Sequence, residues 1–331
     1  MPANLTPQYH KAEEAYRKAQ SPEDRLHCLE EMLRTIPKHK GTDKLQADLK
    51  HKMKEVREEI AAEKKSPRGG PTHRRIPHQG AGTVVVLGAP NSGKSRLVRD
   101  LTGAHVEVAD YPFTTREPAP GMMRWRDVMV QLVDTPPTTA EHFESSLSGI
   151  VRSADAAIVC FNGASDDAPT ETVAVFHQFA DRKTELSERT GFADDDYSVV
   201  NVRTLLVVTH ADDEDSSTRL EFWIELSPRR LETFFVEFSK PESVEALRDA
   251  VFQLLNVIRV YTKAPGKKPD ATPPFTLPRG AVVEDLALKV HQEIAAKLKY
   301  AKVWAPGSSD AHTVGPQHVL NEGDLVELHT S

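Results

Sequence analysis

The chain has 331 residues, 39% hydrophobic and 27% charged, with a net charge of −7 at neutral pH. That is apolar content for about two domains and excludes a chain disordered throughout. No apolar run approaches the ~18 residues of a bilayer span, the first residues carry no apolar leader segment, and Cys28 and Cys160 are too few for a disulfide framework or a zinc site; a soluble, cytoplasmic protein without a membrane partner is expected.

The charge is uneven. Residues 1–80 hold 17 Lys/Arg against 12 Asp/Glu, a net of +5, whereas the remainder holds 25 against 37, a net of −12. A basic module attached to an acidic one is the simplest reading. Within the basic module, Thr6-Pro7 and Ser21-Pro22 are helix start signals. Leu26, Leu29, Met32 and Leu33 share a face of a helix that stops near Ile36-Pro37. Thr42-Asp43 opens a third helix with Leu45, Leu49, Met53, Val56 and Ile60 at spacings of three and four. Residues 1–65 therefore read as a helical hairpin or short coiled coil. Its lysine-rich faces fit either a solvated surface packed on the next domain or a footprint on phosphates. Residues 66–80, rich in Pro, Gly and base, read as a linker.

From residue 81 to 260 the pattern changes. Short β-branched runs (Thr83–Leu87, Val128–Val133, Ala156–Phe161, Thr204–Val208, Phe234–Phe238) alternate with helical stretches at Ser95–Thr102, Glu171–Asp181 and Val244–Val257. Continuous apolar strands separated by helices predict an α/β domain, a mostly parallel sheet with helices on both faces. Residues 261–331 read as a small α+β module, with strands at Phe275–Leu277, Tyr300–Trp304 and Leu325–His329 around helical spacing at Val283–Leu298. Trp304 and His318 read as packing residues of this module, and His291 as a solvated one.

The first strand runs into Gly88-Ala89-Pro90-Asn91-Ser92-Gly93-Lys94-Ser95 and then a helix. This is G-x-x-x-x-G-K-S in the strand–loop–helix setting that gives it meaning. Gly88 and Gly93 let the backbone approach an anion, and the N–H groups of Asn91, Ser92, Gly93, Lys94, Ser95 and Arg96 surround it. Lys94 reaches the β- and γ-phosphates, and Ser95 coordinates Mg²⁺.

The base is read elsewhere. Thr209-His210-Ala211-Asp212 follows a strand where GTPases usually read N-K-x-D. An aspartate there accepts two hydrogen bonds from guanine, a pairing adenine cannot make. Ser239-Lys240 resembles the S-A-K loop that contacts the guanine oxygen. Thr209 and His210 depart from the usual pair and leave an ATP-dependent P-loop protein as an alternative. Between these motifs lie two switches. In Asp110-Tyr111-Pro112-Phe113-Thr114-Thr115, Thr115 would complete the Mg²⁺ shell. In Asp134-Thr135-Pro136-Pro137, Asp134 would hold Mg²⁺ through water. Pro137 replaces a glycine whose N–H ordinarily meets the γ-phosphate, and proline has none. Thr138 stands where a water-orienting glutamine is often found and is shorter. Slow intrinsic hydrolysis, raised by an activating protein, is the expectation; a nucleotide-binding scaffold with negligible hydrolysis is the other.

Tyr111–Thr115, together with RVYTK (Arg259–Lys263), LKYAKVW (Leu298–Trp304) and the run from Val314 through His318 to Asp324, resembles the Obg/DRG branch of GTPases, in particular the developmentally regulated GTP-binding proteins. The resemblance covers roughly residues 82–331. It implies a C-terminal β-grasp TGS domain, a ribosome- or RNA-associated role and K⁺ activation through Asn91, whose other reading is a loop-shaping hydrogen bond. The sequence departs from the family in lacking the glycine-rich Obg N-terminal domain. It is also too short between Asp134 and Thr209 for the extra DRG domain, so Glu185–Val202 reads as a surface insertion.

Overall fold

Three amphipathic helices open the chain: α1 (Pro7–Lys18), α2 (Pro22–Thr35) and α3 (Asp43–Glu63). They belong to a computed structural model that describes residues 6–19, 22–37, 42–63, 77–103, 118–139, 145–193, 199–227, 229–267 and 273–330. Thr6 caps α1, its hydroxyl accepting from the Tyr9 N–H at 3.2 Å, with Pro7 at the first helical position. The predicted apolar stripes of α2 and α3 are buried, with Leu29 and Met32 from one helix meeting Leu45, Leu49, Met53 and Val56 from the other.

The central domain follows as β1 (Thr83–Gly88), α4 (Lys94–Thr102), β2 (Ala119–Trp125), β3 (Val128–Asp134), α5 (Ser145–Ser153), β4 (Ala156–Asn162), α6 (Ala168–Ala180), β5 (Thr184–Ser187), β6 (Gly191–Phe192), β7 (Val200–Thr209), α7 (Ser216–Leu226), β8 (Glu232–Phe235) and α8 (Pro241–Leu254). Among the described residues the sheet order is β2-β3-β1-β4-β7, with β8 parallel to the second half of β7 and β5 and β6 on its first half. β2 is antiparallel to β3; the β3-β1-β4-β7-β8 pairings are parallel. Every residue of β1 is buried. Val85 and Leu87 enter the core on one face of the sheet, and Val84 and Val86 the core on the other. A strand covered on both faces shows a continuous apolar run rather than alternation.

The described residues of Glu185–Val202 do not form a surface insertion. Their strands extend β7, and Leu186, Phe192, Val200 and Val202 are buried in the same core cluster as Tyr9, Leu29, Leu45 and Leu49. The Phe192 N–H donates to the Glu13 carboxylate at 2.9 Å, and the Lys52 ammonium lies 4.2 Å from the Phe192 ring. The N-terminal helices thus pack on one another, α1 on α2 and α2 on α3, and also form a layer seated on the central domain.

The C-terminal module comprises β9 (Val257–Thr262), β10 (Phe275–Pro278), α9 (Val283–Val290), α10 (Gln292–Ala296), β11 (Leu298–Trp304), β12 (His312–Val314) and β13 (Leu325–Thr330), in the order β10-β9-β13-β11-β12. β13 is parallel to β9 and the other pairs are antiparallel, a β-grasp arrangement with α9 packed on Ile258, Leu277, Ala301 and Val326. The helical spacing predicted over Val283–Leu298 is interrupted at His291. This residue is extended, exposed, and accepts the Glu293 N–H at 3.2 Å to start α10. A bend at the β2–β3 turn joins the two domains. Asp127 there accepts from Arg259 of β9 at 2.5 Å and from the Tyr261 hydroxyl. The Arg259 guanidinium also pairs with Glu322 at 2.7 Å and lies 4.8 Å from the Trp125 ring, which stacks on Phe252 of α8.

Candidate nucleotide site

The carboxyl ends of the parallel strands converge, and in α/β sheets that edge is where ligands bind. β1 ends at Gly88 in a loop whose backbone is left-handed or glycine-only at three positions: Gly88 (φ 148°), Asn91 (φ 55°) and Gly93 (φ 87°). A Cβ on Gly88 would lie 2.5 Å from the Ser92 hydroxyl and 2.9 Å from the Cys160 carbonyl oxygen, so only glycine fits. The loop closes on α4, whose N-cap Gly93 offers no side-chain cap and whose first-turn N–H groups point along the helix axis toward the same space.

Lys94 is buried inside this loop, its ammonium donating to the Ala89 carbonyl oxygen at 2.6 Å. Burial lowers its pKa, opposed by Cys160, Asp134 and Glu171. A buried cation ringed by backbone is stabilised by an arriving polyanion. The Ser95 hydroxyl donates to Asp134 at the end of β3 at 2.7 Å. A hydroxyl and a carboxylate side by side next to a phosphate loop are the hard oxygen donors that Mg²⁺ prefers, so the residues present fit that ion. Beyond Asp134, the buried Thr135 hydroxyl donates to the Val86 carbonyl oxygen at 2.7 Å, and the Thr138 N–H to the Gly88 carbonyl oxygen at 3.1 Å. The Thr138 hydroxyl is buried without a hydrogen-bond partner among the described residues. Thr115 and the rest of Asp110–Thr115 lie outside the described residues.

The second half of the site hangs from β7. Thr209 is fully buried, with its hydroxyl 3.1 Å from the carbonyl oxygens of both Ser92 and Phe161. Its methyl and Cβ also bound the space above Gly93, where an added Cβ would lie 3.0 Å from the methyl. Thr209 therefore ties the two loops together from behind and does not face the cleft. His210 takes a left-handed conformation (φ 51°) and Asp212 is exposed beyond it. Ser239 and Lys240 are exposed after β8, with the Lys240 ammonium 2.6 Å from Glu237. That contact raises the Lys240 pKa, and Asp212 adds a smaller push. Arg96 points outward along α4, 3.6 Å from Asp100 and 4.9 Å from the Phe238 ring.

Three contributors escape sequence reasoning. Arg219 of α7 donates to Asp166 and Asp213 and to the Gly163 carbonyl oxygen, each at 2.7 Å, bracing the loop that carries Asp212. Asn162, the last residue of β4, donates to the Asn91 carbonyl oxygen at 3.1 Å; its place at a strand's carboxyl end was the available signal. Glu171, in the first turn of α6, lies within electrostatic reach of Lys94, and burial raises its pKa.

Residues 83–191 match the family described as 50S ribosome-binding GTPase, and residues 258–330 match the TGS domain. Curated relatives matched over about 90% of the chain include DRG-type GTP-binding proteins. The chain is 25% identical to an uncharacterized GTP-binding protein of Methanocaldococcus jannaschii, with 92% of both chains covered. It is 24% identical to developmentally-regulated GTP-binding protein 1 of Xenopus laevis, covering 90% of this chain and 96% of that one. The structure of the YchF GTPase of Schizosaccharomyces pombe shares the fold, with a TM-score of 0.52 at 12% identity, covering 77% of this chain and 99% of that one. Among its described residues the chain has no helix long and apolar enough to cross a membrane.

Proposed function

We propose that this chain binds and hydrolyses GTP as a molecular switch acting on the ribosome or an RNA, in translation or ribosome assembly. The observation that carries the nucleotide part is the tether between Thr209 and Ser92, which fixes the Asp212 loop against the phosphate loop. A guanine held by Asp212 and by the Ser239-Lys240 backbone then has its phosphates over Lys94. Asn91, Ser92, Gly93 and Arg96 supply backbone N–H groups, and Gly88 leaves room for them.

Ser95, Asp134 and Thr115 would hold Mg²⁺, which when bound neutralises charge on the phosphates. Asn91 would add a carbonyl or amide oxygen for K⁺. Thr138 would orient the attacking water with its hydroxyl. Its N–H already meets Gly88 and Pro137 has none, so intrinsic turnover is slow and a partner protein raises it. The same observation favours a second reading, a guanine-nucleotide-binding scaffold with negligible hydrolysis.

The ribosome part draws on the description of the matching family and on the +5 charge of the first 80 residues. Co-sedimentation with ribosomal subunits, with a non-hydrolysable GTP analogue or GDP across a salt series, tests it. Binding that depends on both nucleotide and salt is expected; binding indifferent to both contradicts the proposal.

A further inference from the structure

The outer face of the C-terminal sheet carries an aromatic and cationic surface that the nucleotide site does not use. The pairing of β11 with β13 sets Tyr300 opposite His329 and Lys302 opposite Glu327, and alternate residues of a strand share a face. Ala301, Val303 and Val326 point the other way, into the core of the module. The Tyr300 and His329 rings are stacked, their centroids 4.4 Å apart and their planes 11° from parallel. Tyr300 is nonetheless 37% exposed. On its other side runs β12, whose antiparallel register pairs Val314 with Ala301 and so continues to Gly315 beside Tyr300. Residues opposite each other in such a pair share a face, and a Cβ on Gly315 would meet no heavy atom within 4 Å. An open slot therefore flanks Tyr300 on the side away from His329.

The charge around this stack is uncompensated and positive. Glu327 is buried and already engaged: one carboxylate oxygen accepts from the Lys263 ammonium at 2.5 Å, and the other lies 2.7 Å from His329 Nε2. Lys263 also lies 4.4 Å from the Trp304 ring, which fixes the far end of the surface. Lys302, opposite Glu327, gains no ion pair from it. Among the described residues Lys297, Lys299 and Lys302 have no carboxylate within 4 Å. Arg259 of β9, nearer the domain junction, is by contrast neutralised by Asp127 and Glu322. The free ammonium groups are thus confined to β11 and the residue before it, on the strand that carries the exposed ring.

We propose that this face binds single-stranded RNA, with one base stacked on Tyr300 in the slot over Gly315 and the backbone phosphates met by Lys299 and Lys302. An exposed aromatic ring accepts any base through its π-face, and ammonium groups beside it follow the phosphates. A duplex keeps its bases stacked on one another and offers none to the ring. An acidic peptide would satisfy the lysines and leave both the ring and the slot idle. The inference rests on the RNA side of the proposed function and names where on the chain that contact is made, and by what chemistry.

The test is fluorescence anisotropy of a labelled single-stranded oligoadenylate against the full chain with saturating GTP and Mg²⁺, across a salt series. The variants are Y300A, which removes the ring, G315V, which fills the slot, and K299Q/K302Q, which removes two charges; Y300F keeps the ring. Y300A and G315V are each expected to lose affinity about tenfold with the slope of log K against log salt unchanged. K299Q/K302Q should flatten that slope by about 1.4, the share of two phosphate contacts on a single strand. Y300F should stay within about twofold of the wild type, and thermal unfolding and GTP turnover should be unchanged throughout. Wild-type affinity in Y300A, G315V and K299Q/K302Q alike overturns this face as the site and leaves the RNA reading standing. A loss confined to the lysine variant overturns the stacked base. Displacement of the RNA by polyglutamate at equal charge concentration overturns the nucleic acid in favour of an acidic chain. No RNA binding by the wild-type chain even at low salt overturns the RNA reading itself.

Discussion

The Thr209 hydroxyl stands 3.1 Å from the carbonyl oxygen of Ser92, a residue 117 positions earlier in the chain. Through this contact the loop proposed to recognise the base and the loop proposed to hold the phosphates become one unit. Thr209→Val keeps the shape and removes the donor. Because a buried carbonyl then loses its partner, GTP and GDP affinity should both fall about tenfold, while Thr209→Ser retains both. Titration with a fluorescent guanine nucleotide checks this; a Val variant that binds like the wild type would show that the tether is idle.

Asp212 is exposed, and Arg219 ties its loop through Asp213 to Gly163 and Asp166 of the loop after β4. Asp212→Asn should weaken GTP by about a hundredfold or more and gain xanthosine triphosphate, because the amide offers a donor where guanine also has one. Arg219→Gln should weaken guanine nucleotides several-fold without changing the preference, since it disturbs the loop and not the base contact. Competition among GTP, xanthosine triphosphate and ATP separates the two effects.

Phe192 tests how the helical layer is attached. It is 8% exposed, packs on Tyr16 and lies under Lys52. Phe192→Ala should cost about 3 kcal/mol, as removal of a buried aromatic ring does. Limited proteolysis should then cut α1–α3 before the central domain. Equal resistance of all segments in the variant would mean that the helices are held elsewhere.

At the domain junction, burial pushes the Asp127 carboxyl up, but hydrogen bonds from Tyr261 and Arg259 outweigh it and hold its pKa below the usual carboxylate range. A lowered native pKa gives stability that is present above the unfolded value and is lost as pH falls through the native one. The contact should therefore weaken only below about pH 4. Asp127→Asn should remove that part of the acid dependence, measured as thermal unfolding between neutral and acid pH.

Much of this architecture was legible in the sequence because the signals were local. The phosphate loop lies between a β-branched run and a helix, and the stripe Leu45, Leu49, Met53 and Val56 repeats at helical spacing. Glu185–Val202 was misread because Phe192 packs on Tyr16 and under Lys52, more than 120 residues earlier, a contact that no local pattern encodes. The break at His291 was hidden because apolar residues on its two sides keep helical spacing while the backbone between them is extended. The motif alone proposes Asp212 as a base contact. Arg219 has no such signal, because its three acceptors come from two loops that only the sheet brings together.

Phosphate release from GTP by the purified full chain with Mg²⁺, measured in K⁺ and in Na⁺ with ATP as the comparison, is the most direct test of a hydrolysing switch. Slow release from GTP, faster in K⁺ than in Na⁺ and at background for ATP, is the predicted result. Release at background from GTP in both salts would contradict the claim that this chain is a hydrolysing switch.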